Sequence, residues 1–60
     1  MSMDRNELNK TIAVKKMDLE ECEQELYSRY YPTIVRMAMM HYIEILHQQL
    51  ATYEDELINL

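Results

Sequence analysis

The 60 residues include no glycine, no tryptophan and no phenylalanine, with one proline and one cysteine. Each shortage removes a class of structure. Glycine supplies the positive φ that tight hairpin turns and many loops demand, so its absence speaks against a β-sheet or loop-rich fold. A single cysteine, Cys22, cannot close a disulfide within the chain, and a lone thiol without a secretory signal suggests a reducing, cytoplasmic setting. No apolar run approaches the roughly 20 residues that a bilayer-spanning helix needs. Basic residues are also few, six Lys and Arg against eleven Asp and Glu, for a formal charge of −5. A surface of that sign repels phosphate backbones and anionic lipids. Neither nucleic acid nor membrane is therefore an expected partner.

What is plentiful favours helix: Met, Leu, Glu, Gln and Ala. The expected fold is all-α, with residues 1–60 as one domain. A chain this short ordinarily needs disulfides, a metal or self-association to be secure. With a disulfide ruled out, association is the simplest staple.

The first helix is expected over about residues 4–29. Asp4 and Glu7 have the spacing of a capping box, in which each side chain serves a free N–H of the first turn. Leu8, Ile12, Leu19, Cys22 and Leu26 then fall on one helical stripe, interrupted by Lys15, whose aliphatic stem can still cover apolar surface. Glu25 precedes Arg29 by four residues, a mildly stabilising orientation. The segment Tyr27–Thr33 should end this helix, because Pro32 disfavours helical geometry in Tyr31 and has no N–H to offer. Pro32 also suits the first position of a new helix. The pattern predicts an antiparallel hairpin broken at Pro32, with a turn over about 30–32, rather than one kinked rod.

The second helix, expected over about 33–58, carries the clearest period. Met39, Ile43, Leu46, Leu50, Tyr53, Leu57 and Leu60 alternate in steps of four and three, the seam of a coiled-coil-like helix. From Ile34 to Leu46 only Arg36, His41 and Glu44 are polar. A helix that is apolar on most sides is normally covered on most sides. One partner helix cannot cover Ile34, Val35, Ala38, Tyr42 and Ile45 as well as the seam. A second copy is the simplest cover, giving a two-fold dimer and a four-helix bundle. The residues expected in self-association are Ile34, Val35, Ala38, Met39, Tyr42, Ile43, Leu46, Leu50, Tyr53 and Leu57.

Chemistry is sparse. Glu44-x-x-His47, with His41 nearby, resembles the Glu-x-x-His spacing of di-metal carboxylate bundles. The seam register sets Glu44 and His47 on its flanks and His41 on the far side, so a solvated helix face is expected instead. Cys22 lacks a flanking base or acid partner of a nucleophile and reads as a small core residue. No catalytic residue, cofactor, metal or small-molecule substrate is expected. Met37 and Met40 lie on other sides of the seam turn, where methionine suits adaptable binding. Tyr27, Tyr30 and Tyr31 cluster at the bend, where they can roof the hairpin's end or anchor an interface. Among the acids Asp18, Glu20, Glu21, Glu23 and Glu25, solvation is the plain reading and docking onto a basic surface the sharper one. Met37, Met40, Tyr30, Tyr31, Glu20, Glu21 and Glu23 are the expected contacts for a larger protein.

Together these features point to a non-enzymatic, acidic helical protein that dimerises and binds a larger protein to regulate or inhibit it. A phage- or plasmid-type antagonist of a host enzyme or defence system is one form of that reading. An assembly component or co-chaperone within a larger complex is the alternative, and a di-metal bundle the remote one.

Overall fold

Asp4 starts the first helix. Its carboxylate accepts from the Glu7 N–H at 2.8 Å, giving one of the free first-turn donors a partner. Among the described residues, the return bond from the Glu7 carboxylate is absent, so half of the expected capping box forms. In the computed structural model, which describes residues 3–60, α1 runs over Arg5–Ser28 and α2 over Thr33–Ile58. The two pack against each other as a helical hairpin. Residues 1 and 2 of the expected single domain lie outside the described part.

The reversal is made without glycine. Arg29 ends α1 in an extended conformation, φ −130° and ψ 155°, while its N–H still reaches the Glu25 carbonyl. Pro32 is extended as well, φ −57° and ψ 153°, and its carbonyl accepts the first bond of α2 from Arg36. Pro32 is thus the residue just before α2 rather than its first residue. No described residue has a positive φ. The chain turns here without a positive φ through a link of four residues, 29–32, where a tight turn would take two.

The core is one residue deep. Leu8, Ile12 and Leu26 of α1 and Leu46 and Leu50 of α2 are the buried residues, none of the five more than 8% exposed. Leu19, Cys22 and the interrupting Lys15 are half-buried, as are Met39, Ile43, Tyr53 and Leu57 along the α2 seam. Leu60 keeps the seam spacing yet is 57% exposed, because α2 ends at Ile58 and Leu60 lies beyond it. Cys22 sits at the margin of the core rather than inside it.

A rod results. Its extents are 42 × 16 × 15 Å and its radius of gyration is 13.7 Å, against about 10 Å for a globule of 60 residues. The accessible surface is 4861 Å², whereas a folded monomer of this mass exposes about 4,200 Å². Two helices side by side leave about 700 Å² more surface wet than a self-sufficient domain would, on the same scaling. None of the described helices is long and apolar enough to cross a membrane.

Candidate interaction surfaces of the hairpin

The sides of α2 follow from its 3.6-residue turn. The seam Met39, Ile43, Leu46, Leu50, Tyr53 and Leu57 faces α1, with Leu46 and Leu50 buried there. One residue earlier at each step, about 100° around the helix, stand Ala38, Tyr42, Ile45, Gln49, Thr52 and Glu56. With Val35 before them they repeat the three-four alternation as a second stripe, uncharged from Val35 to Thr52 and acidic at Glu56. Ile45, Gln49 and Thr52 line an open groove with Gln48, Tyr53 and Glu56. Val35 and Tyr42 remain exposed, and Ile34 at the edge of this stripe is 78% exposed.

The ten residues expected in self-association therefore separate into two sets. Met39, Ile43, Leu46, Leu50, Tyr53 and Leu57 form the seam within one chain. Ile34, Val35, Ala38 and Tyr42 are left outward.

A third side of α2 carries Met37 and Met40, which line one open groove with His41 and Glu44. Met37 is 64% exposed. Met40 also borders a second groove with Glu23, Leu26, Tyr27, Arg36 and Ile43. Arg36 supplies the cation of this groove and Glu23 the anion, so the surface is mixed rather than acidic.

On α1 the acids do not form one wall. Glu20 and Glu23, three residues apart, share one side of the helix, whereas Glu21 projects to another. The acids that do converge are Asp18, Glu21 and Glu25, which line a groove with Cys22, Tyr31, Met39 and Tyr42. That set was readable from the intervals 18, 21, 22 and 25, which place all four on one side of a helix. The exposed Arg29 side chain reaches Glu25 across 3.6 Å. The Tyr31 hydroxyl donates to the same carboxylate. This hydrogen bond, made by the phenol to an anion, raises the Tyr31 pKa above its ordinary 10.0.

The bend tyrosines divide. Tyr31 is half-buried and tied to Glu25, whereas Tyr27 and Tyr30 are 79% and 91% exposed. Tyr27 and Tyr30 therefore do not roof the hairpin's end: their rings stay mostly in water. Glu44 and His47 are exposed, and no group of three His, Cys, Asp or Glu among the described residues lies close enough to hold a metal ion. Compared with known protein families, curated proteins and solved structures, the chain matches none.

Proposed function

We infer that this chain is a non-enzymatic interaction protein: a small acidic helical hairpin that pairs with itself and docks onto a larger protein to regulate or inhibit it. One observation carries the reading. A core of five buried side chains leaves Ile34, Met37, Met40 and Tyr42 exposed on one helix of 26 residues. Large apolar side chains exposed in this number on one helix mark contact sites in soluble proteins. The grooves beside it are shallow, lined by mixed side chains and lack the converging polar groups of a small-molecule site.

The two outward sides of α2 suit two different partners. The uncharged stripe through Ala38 and Ile45 is compatible with an identical copy, which carries the same net charge. The side through Met37 and Met40, bordered by Glu23, Tyr27, Arg36 and Glu44, suits a different protein with complementary polar groups at its rim. Exposed Tyr27 and Tyr30 add rigid anchors near that side.

The test is a paired capture from the native host with the wild-type chain and the Met37→Glu/Met40→Glu double variant, each of whose helicity and sedimentation mass is measured first. The expected result is a dominant partner held by the wild type and lost by a variant that keeps its fold and mass. A partner held equally by both would remove the methionine side from the interface. A double variant whose self-association falls apart would assign that side to the second copy instead.

A further inference from the structure

We propose that the uncharged stripe of α2, Val35, Ala38, Tyr42, Ile45, Gln49 and Thr52, is the contact through which two copies of this chain pair, α2 against α2, with both α1 helices on the outside. The proposal deepens the self-pairing part of the functional reading and rests on it.

Spacing comes first. A helix with one three-four seam packs on one neighbour; a helix with two adjacent seams packs on two. The inner seam is used by α1. The stripe one residue earlier keeps the same alternation from Val35 to Thr52 and is only partly covered within one chain: Ile45 and Gln49 are half-buried, while Val35, Ala38, Tyr42 and Thr52 are exposed. Its side chains are also of the right kind. Ala38 and Thr52 are small and exposed, which lets another helix come close, and Tyr42 and Ile45 supply apolar bulk.

Charge selects the occupant. A chain of formal charge −5 repels its own copy wherever acids meet acids. No residue of the stripe from Val35 to Thr52 is charged, so two copies can meet there without that cost. The α1 portion of the same side carries Asp18, Glu21 and Glu25 beside the groove with Tyr42. A bundle that set α1 against α1 would bring two such rows together. Pairing through α2 alone keeps those carboxylates in water, so the two α1 helices lie apart rather than closing a bundle in which every helix has two neighbours.

Area agrees. The 18 residues from Val35 to Thr52 extend over about 27 Å at 1.5 Å per residue. A band half a helix wide, about 16 Å, gives roughly 430 Å² per copy and about 860 Å² in total, near the floor of about 1,000 Å² for a specific interface. The excess surface of one hairpin over a self-sufficient domain, about 700 Å², is of the same size.

The middle of the stripe falls between Tyr42 and Ile45. A two-fold pairing that uses its whole length sets Ile45 beside Ile45 of the second copy if the helices run parallel, and beside Tyr42, with the two Ile45 positions about 5 Å apart along the axis, if they run antiparallel. The experiment is sedimentation equilibrium on the full chain as wild type, Ala38→Glu, Thr52→Glu and Met37→Glu. Thiol cross-linking of Ile45→Cys in a Cys22→Ser background accompanies it. Ala38, Thr52 and Met37 are exposed in the hairpin, so helicity by circular dichroism should persist in each variant. The expected result is a wild-type dimer whose dissociation constant rises at least about a hundredfold in Ala38→Glu and Thr52→Glu. Met37→Glu should stay dimeric, and Ile45→Cys should cross-link in high yield. Dimers that survive both stripe variants, or an Ile45→Cys protein that does not cross-link, would overturn the stripe while leaving self-pairing in place. A wild-type chain sedimenting as one copy at all concentrations would remove self-pairing and this interface together.

Discussion

Replacing Leu46 by alanine tests the hairpin register more sharply than any other single change. Leu46 is 0% exposed and is the one described α2 side chain that is fully enclosed. Leu→Ala at an enclosed site costs about 2–5 kcal/mol, the upper end where the surroundings cannot collapse into the space. Here the opposing layer is a single helix, which can shift, so the expected loss is about 3 kcal/mol. A 60-residue domain has about 3–9 kcal/mol of stability in all, so this one change removes a third or more of it. Leu60→Ala is the internal control. It occupies the same three-four series in the sequence but lies beyond the end of α2 and more than half exposed, so its expected cost is below about 0.5 kcal/mol. The assay is urea unfolding followed by ellipticity at 222 nm, at one fixed protein concentration because pairing couples stability to concentration. A Leu46→Ala midpoint within error of wild type, or equal losses at Leu46 and Leu60, would show that the helices do not pack in this register.

Three smaller predictions test the local chemistry. Asp4→Ala should lower stability by about 1 kcal/mol by leaving the Glu7 N–H without its acceptor, whereas Asp4→Asn or Asp4→Ser should restore most of it in the same urea assay. Arg29→Ala should change stability by less than about 0.5 kcal/mol, since its pair with Glu25 is exposed and open to screening; a larger loss would mean that the pair holds the bend. Spectrophotometric titration near 295 nm should reveal one tyrosine ionising later than the ordinary phenol, and that late component should vanish in Tyr31→Phe and move back in Glu25→Gln. The sign follows from the raised Tyr31 pKa: its contribution is complete below pH 10.0 and is lost as the pH climbs through the raised value.

Much of this architecture is written in single residues. The missing glycines and the 4-3 series from Met39 exclude sheet and require helix, because backbone freedom and apolar period are local properties. Pro32 fixes where the chain must break, since a ring in place of an N–H acts at its own position whatever surrounds it. Asp4 likewise marks the start of α1, needing only the N–H three residues on. These features need no tertiary partner to operate. The sequence also carries the imbalance between the two helices, in that α2 has apolar residues on more sides than one neighbour can cover.

Which residue ends up on which surface was decided by the packed hairpin. The spacing cannot tell that Leu60 falls beyond the contact while Leu46 is sealed, because the end of a seam depends on where the opposite helix stops. Glu21 stands between Glu20 and Glu23 in the chain but not on the surface, where it joins Asp18 and Glu25 in a groove with Tyr31 and Tyr42 of the other segment. Tyr31 meets Glu25 and Tyr30 meets water for a similar reason: the path of the four-residue link, not the identity of its residues, sets the surroundings of each ring. Burial is a relation between two surfaces. One strand of letters can fix a helix and its stripes, but which stripe is covered depends on the body laid against it.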